Sequence, residues 1–194
     1  MIFASNNKGK IKEFKEIFKG YDIKSLSDAN IDVDVEENGK TFYENALIKA
    51  KTIYELTGIP TIADDTGLIF LELGDWPGVN TKRISNNFDN DEQDRNQILI
   101  NKGKELNDKR IKAICTLVYY DKDHIIEATG EMHGTITDKE YPGNGFGFDR
   151  VFRLNDGRIV SSLTEEEKNK ISHRSNASKL LKEKLDKIKV SKED

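Results

Sequence analysis

Thr61-Ile62-Ala63-Asp64-Asp65-Thr66-Gly67-Leu68 runs an apolar, β-prone segment straight into two adjacent carboxylates and then a Thr-Gly pair. It reads as a sheet strand delivering an acid to its carboxyl end, where open α/β sheets hold their ligands. Gly67 is expected to turn the backbone tightly and leave N–H groups facing an anion. Two carboxylates beside such an amide nest suit a metal ion with phosphate. The same residue types also build ordinary surface strand-to-turn junctions, so this stretch alone leaves both readings open. Adjacent strand residues point to opposite faces, so only one of Asp64 and Asp65 is expected to look directly into a given site.

Upstream, Thr41 precedes Phe42-Tyr43-Glu44, a Thr-x-x-Glu capping box that starts a helix running to about Thr57. Phe42, Ala46, Ala50 and Ile53 form its apolar face, and Gly58-Ile59-Pro60 ends it. Asn45 and Lys49 are four apart and share a patch of that helix. The acidic segment before it, with Asp32, Asp34, Glu36 and Glu37, reads as a solvated loop. At the N-terminus, Ile2-Phe3-Ala4 leads into Ser5-Asn6-Asn7-Lys8-Gly9-Lys10 and then Ile11, Phe14, Ile17 and Phe18 at helical spacing. This strand, polar loop and helix place Ser5, Asn7 and the following amides at a helix N-terminus, where the dipole favours an anion and Lys8 and Lys10 add charge. Tyr21 to Ser25 reads as a second strand.

Downstream, Gly74-Asp75-Trp76-Pro77-Gly78 is a turn-rich loop with the only tryptophan. The polar piece from Asp89 through Gln97 to Ile100 reads as helix, and Asn101 to Lys109 as a mobile connection. Ala113 to Tyr120 is apolar on both alternating sets, which predicts a strand covered on both faces. With a turn at Asp121-Lys122-Asp123 and a return strand from His124 to about Met132, it makes a long hairpin. In Tyr141-Pro142-Gly143-Asn144-Gly145-Phe146-Gly147-Phe148-Asp149, three glycines permit close backbone approach, and Phe146 and Phe148 offer rings beside Asp149. Thr164 and Glu167 make another capping box. Lys168, His173 and Arg174 put three donors within seven positions, ahead of a terminal helix striped by Ala177, Leu180, Leu181, Leu185 and Ile188 and a frayed tail from Val190.

The composition narrows the classes. A chain of 194 residues, 36% hydrophobic and 34% charged, fills one sizeable core in a single domain. A net charge of -4 provides no global field toward polymeric nucleic acid or anionic membranes. The lone Cys115 excludes an intramolecular disulfide and reads as a buried small hydrophobe. No HExxH or other zinc spacing accompanies His124 and His133. The N-terminus lacks a signal-peptide core, and no stretch approaches the roughly 20 apolar residues of a membrane span, so a cytoplasmic protein is expected.

Five separated pieces together resemble the inosine/xanthosine triphosphate pyrophosphatase family: Ala4 to Lys10 with Glu13, Thr41 to Ala46 with Lys49-Ala50, Ala63 to Leu68, Gly145 to Asp149, and Ser172-His173-Arg174. They stand in that family's order and cover nearly the whole chain, residues 1–194. The resemblance implies an elongated α/β fold, with a long twisted mixed β-sheet and flanking helices forming two lobes around a central cleft. It implies a homodimer that uses Mg2+ to hydrolyse purine nucleoside triphosphates such as ITP, dITP and XTP to the monophosphate and pyrophosphate. By matching position, Ser5, Asn7, Lys10, Lys49 and the backbone of Thr66 and Gly67 would hold phosphates. Glu37 and Asp65 would bind metal, with Asp65 and Lys49 catalytic, which replaces the solvated-loop reading of Glu37. Phe146 and Phe148 would pack on the base, while Asp149, Lys168, His173 and Arg174 read its edge. A pyrophosphatase for modified pyrimidine nucleotides and a nucleotide-binding regulator without turnover are the alternatives. The chain departs from the family's pattern at Asn80-Thr81-Lys82-Arg83, Arg150 and Ser178, none of which removes a proposed phosphate or metal group.

Overall fold

The computed structural model describes residues 1–85 and 91–190. Asp89 and the tail after Val190, both read from sequence above, lie outside the described residues. In chain order the main elements are β1 (Ile2–Phe3), α1 (Lys8–Ile17), β2 (Lys24–Ser25), α2 (Phe42–Thr57), β3 (Thr61–Phe70), α3 (Asp91–Glu105), β4 (Arg110–Tyr120), β5 (Ile125–Ile136), β6 (Phe152–Leu154), α4 (Glu165–Ile171) and α5 (His173–Val190). The strands are hydrogen-bonded in the order β2-β1-β3-β4-β5-β6. β1 lies parallel to β2 and β3, with Phe3 opposite Ser25 and Ile62, whereas β5 and β6 are antiparallel, with Gly134 opposite Leu154. The expected mixed sheet flanked by helices is therefore present.

The opening stretch is not a strand end. β3 passes through Asp64, Asp65, Thr66 and Gly67 without turning and continues to Phe70. Leu68-Ile69-Phe70 resumes a β-prone run that is buried beyond the acids, and this burial holds the backbone extended where a tight turn was expected. Three further expectations shift. The second strand shrinks to Lys24–Ser25. α3 runs into the proposed mobile connection as far as Glu105, because Gly103 sits so close to Ile136 that an added Cβ would lie 2.5 Å from its Cγ2. Lys109 then donates to the carbonyls of Gly103 and Leu106 and satisfies the helix end. Finally, β5 extends past Met132 to Ile136, with Ala128, Gly130, Met132, Gly134 and Ile136 on its buried side.

The two capping boxes part ways. Thr164 and Glu167 cap reciprocally, at 3.1 and 2.9 Å. Thr41 accepts from the Glu44 amide at 3.1 Å, but the Glu44 carboxylate returns to the amide of Lys40 at 2.6 Å, not to that of Thr41. α2 ends on Gly58 with φ 66°, as the sequence predicts.

The chain divides into two compact units: residues 1–65, 115–130 and 173–194, and residues 66–114 and 131–172. In the first, strand residues alternate between two apolar clusters. Phe3, Ile62, Cys115 and Leu117 pack with Phe14 and Phe18 of α1 and Leu181 and Leu185 of α5. Ile2, Ala4, Ala63 and Val118 pack with Ala46, Ala50 and Ile53 of α2. Phe3, Phe14 and Phe18 stack in sequence at 4.3 and 4.2 Å between centroids. In the second unit Leu68, Phe70, Leu99, Ile100, Ile111, Met132, Val151 and Phe152 form the core, with Trp76 packed against it as a loop anchor. Among the described residues, no helix is long and apolar enough to cross a membrane.

Candidate functional site

The period of a strand decides what Asp64 and Asp65 meet. Asp64 follows Ile62 on the α1 and α5 side, while Asp65 follows Ala63 on the α2 side. Both carboxylates are buried, and each finds a polar partner on its own side. Lys10 of α1 donates to Asp64 Oδ2 at 2.6 Å, and Asn45 of α2 donates to Asp65 Oδ2 at 3.0 Å. One strand therefore serves two polar clusters, and the pair that looked redundant in sequence is divided by geometry.

α2 supplies the remaining groups on the Asp65 side. Lys49, one turn past Asn45, donates to the backbone carbonyl of Asp64 at 3.0 Å and pairs with the Glu37 carboxylate. Neither partner of that pair is a solvated surface group: the Lys49 and Glu37 side chains are 15% and 17% exposed. The loop carrying Glu37 is pinned by Gly39, whose amide donates to Asn45 Oδ1 at 2.7 Å. A Cβ at position 39 would lie 2.7 Å from both that oxygen and Glu44 Cβ, so glycine is what lets the acidic loop lie against α2. Gly39 escaped the sequence reading; its only signal there was a glycine placed between the acid run and the helix cap.

The charges are coupled. Burial raises the Asp65 pKa, and the Glu37 and Asp64 carboxylates raise it further, against the opposing effects of the Asn45 hydrogen bond and the Lys49 ammonium. Burial works against a charged Lys49, yet the negative charge of Asp64, Glu37 and Asp65 outweighs it and holds the ammonium above its ordinary value. A set of hard oxygen donors that repel one another around a lysine is the environment a small divalent cation relieves, and Glu37 and Asp65 fit Mg2+ on that ground.

On the other side of β3, the predicted phosphate loop is ordered by its own side chains. The Ser5 hydroxyl accepts from the Asn7 amide at 3.1 Å, and Asn7 caps α1 by accepting from the Lys10 amide at 3.1 Å. Arg174 in the first turn of α5 donates to Glu13 of α1 at 2.6 Å, with its side chain only 4% exposed. Burial disfavours the guanidinium charge, but Glu13, then Cys115 and Asp64, keep its pKa above the usual range. His173 begins the same helix and is buried.

The second unit holds the other predicted groups. Asp149 Oδ2 accepts from Lys168 Nζ at 2.8 Å and from the Phe146 amide at 2.9 Å. The same ammonium lies 4.5 Å from the centroid of the Phe146 ring. Phe148 packs toward Phe152 and the apolar core. Asn96 of α3, not singled out in the sequence, donates to the carbonyl of Gly147 at 3.1 Å and steadies the segment. Gly145 has φ 85°, and a Cβ there would stand 2.1 Å from Asp149 Oδ2. Gly145→Ala is therefore expected to destabilise the fold by about 1 to 3 kcal/mol, read as a lower urea midpoint at constant m-value.

Of the predicted site residues, Ser5, Asn7, Lys10, Glu37, Lys49, Asp65, His173 and Arg174 belong to the first unit, and Thr66, Gly67, Phe146, Phe148, Asp149 and Lys168 to the second. Lys168 is thus joined to Asp149, and Arg174 to Glu13. The Thr81 hydroxyl, at one departure from the family pattern, accepts from the Leu68 amide at 3.0 Å and donates to the Gly78 carbonyl at 2.6 Å, which gives it a structural task. Ser178 is fully buried, and among the described residues its hydroxyl has no hydrogen-bond partner. Asp121, Asp123 and His124 bring three ligand-type atoms together, but Asp121 is engaged in closing the hairpin turn through the amides of Asp123 and His124.

A sequence profile of the Ham1 family matches residues 1–184. The chain belongs to the Ham1 family. It is 40% identical to a dITP/XTP pyrophosphatase of Bacillus licheniformis over 191 residues, covering 96% of this chain and 97% of that protein. A dITP/XTP pyrophosphatase of Staphylococcus epidermidis is 36% identical over 188 residues, covering 96% of each. Among solved structures, the Staphylococcus aureus Ham1 protein superposes with a TM-score of 0.85 at 35% identity, over 95% of this chain and 97% of that one. A Ham1 protein from Coxiella burnetii gives a TM-score of 0.85 at 30% identity, over 96% and 98%. The five pieces read as a family resemblance in the sequence thus lie in a chain that carries the Ham1 fold along almost its entire length.

Proposed function

We propose that this Ham1-family chain is a nucleoside triphosphate pyrophosphatase acting on dITP and XTP, the substrates in the names of its relatives, and on ITP, which carries the same base as dITP. The observation that carries the reading is the division of the acid pair: β3 gives Asp64 to Lys10 and leaves Asp65 with Asn45, Lys49 and Glu37 as an oxygen-rich, lysine-balanced cluster. The net reaction adds water across the α–β phosphoanhydride: the water oxygen forms a new P–O bond to one phosphorus as one P–O bond of the bridge breaks, the bridging oxygen stays with the other phosphorus, and the protons pass to the monophosphate, the pyrophosphate or solvent. Mg2+ bound by Glu37 and Asp65 would supply charge neutralisation for the phosphate oxygens.

The chain's own residues account for the rest. Lys49 spreads positive charge along the phosphates, with Lys10, Ser5, Asn7 and the β3 backbone at Thr66 and Gly67 completing their hold. Asp65 aligns the attacking water through its carboxylate. Lys168 and Arg174 are each oriented by a carboxylate, Asp149 and Glu13, yet an ammonium has three N–H donors and a guanidinium five. A donor from Lys168, His173 or Arg174 would serve the 6-carbonyl of hypoxanthine or xanthine. The amino group of adenine would leave such donors unpaired, a mismatch of roughly 1 to 3 kcal/mol per buried group. Phe146 and Phe148 pack on the ring.

A panel of ITP, dITP, XTP, GTP, ATP and pyrimidine triphosphates, assayed with Mg2+ for pyrophosphate and for orthophosphate, tests this. The first three are expected to lead, with pyrophosphate as the direct product. Orthophosphate as the sole direct product sinks the α–β assignment, and a lead by pyrimidine triphosphates sinks the purine assignment.

A further inference from the structure

Gly130 is the last residue of the first unit's middle segment, on the buried side of β5. A Cβ built there would stand 2.2 Å from the carbonyl oxygen of His173, 2.3 Å from the amide nitrogen of Ala177 and 2.9 Å from Asn176 Cβ. The first two are backbone atoms, and they cannot swing aside as a side-chain tip can. Any residue other than glycine must push the opening turn of α5 off the strand by about an ångström to restore an ordinary contact near 3.4 Å. That turn carries His173 and Arg174, and Arg174 reaches Glu13 through a 2.6 Å hydrogen bond whose partners are both mostly buried.

We infer that Gly130 is a positioning residue for base selection: its missing side chain sets the height of the first turn of α5 above β5, and so the place of His173 and Arg174. The inference rests on the base-reading role proposed above for those two residues. Gly130 meets α5 at the backbone of His173 and Ala177, so its effect passes through the helix. A displacement near 1 Å in groups that read a base costs rate on the order of 10- to 100-fold where the reading matters. The loss is concentrated on the preferred base, because adenine gains nothing from those donors.

The experiment is Gly130→Ala, compared with wild type and with Leu185→Ala, which removes packing from the same helix three turns away. Two quantities are read: the ratio of kcat/KM for ITP over ATP, which does not depend on the fraction of enzyme folded, and hydrogen exchange of the amides from 174 to 178. Gly130→Ala is expected to melt cooperatively, to expose those amides to faster exchange and to lower the ratio at least tenfold. Leu185→Ala is expected to melt earlier with its ratio within twofold of wild type. A Gly130→Ala protein that keeps either the ratio or the exchange pattern overturns the inference, as does a Leu185→Ala protein that loses the ratio equally. If Gly130→Ala is not recovered folded, Ala177→Gly, which loosens the same turn at its contact with residue 130, is held to the same two readouts. A wild type with no preference for ITP counts against the proposed function, whereas the exchange measurement still decides whether residue 130 seats the helix.

Discussion

Asp65→Asn is expected to lose turnover by roughly 10²- to 10⁴-fold while remaining as stable as wild type or more stable at pH 7. The two halves have one cause. Burial, with the Glu37 and Asp64 carboxylates nearby, raises the Asp65 pKa in the folded protein, so the ionised form that the chemistry requires is disfavoured by its surroundings. The sign follows from proton binding: between the unfolded pKa and the raised folded one, the native state holds more protons than the unfolded state, and its stability falls as pH rises. Above the folded pKa that loss is complete. Asparagine has no such loss and can still accept from the Asn45 amide nitrogen. The stability advantage of the variant is therefore largest at neutral pH and shrinks toward pH 4, which urea titrations at the two values would show. Near-normal turnover in the folded variant would remove Asp65 from the mechanism. A lower stability at pH 7 that persists at pH 4 would contradict the electrostatic account.

Lys49→Met carries the second large effect, with activity and stability falling together. The ammonium sits among Glu37, Asp64 and Asp65, and pairs with the first while donating to the backbone of the second. Removing it leaves those carboxylates without their shared cation. Breaking one partner of a largely buried pair costs about 3 kcal/mol, and the residual exposure of both side chains keeps the figure at the low end. Activity is expected to fall about 10²- to 10³-fold, the loss typical of a preorganised charge at a reacting centre. The Asp65 pKa should climb further, since Lys49 is one of the groups holding it down. Carboxylate NMR in the metal-free protein would see that climb. An unshifted Asp65 together with an unchanged kcat/KM would show that the lysine neutralises nothing that matters.

The parts of this chain that could be read in one dimension are those whose physics is local. The alternation of Ala113 to Tyr120 marks a strand buried on both faces, and Gly58 after α2 marks a left-handed cap, because neighbours a few residues apart decide both. The family resemblance supplied Glu37, whose place depends on a loop fastened by Gly39 that composition alone made look solvated. The Thr-Gly turn in β3 was misplaced for the opposite reason: the local residues favour a turn, and the buried Leu68-Ile69-Phe70 run overrides them. What stayed hidden was pairing across long separations. Lys10 finds Asp64 54 positions away, and Arg174 finds Glu13 161 positions away. Spacing rules do not reach that far, and until strand and helices are assembled nothing distinguishes Asp64 from its neighbour.

The division of the chain has a consequence for how the protein is made. The second unit ends at Ser172, whereas the first needs α5, which follows it in the chain, to complete the apolar cluster of Phe3, Phe14, Phe18, Leu181 and Leu185. β1 and α1 are thus made well before the helix that covers them, and Phe3, Phe14 and Phe18 spend that interval of synthesis without their final cover.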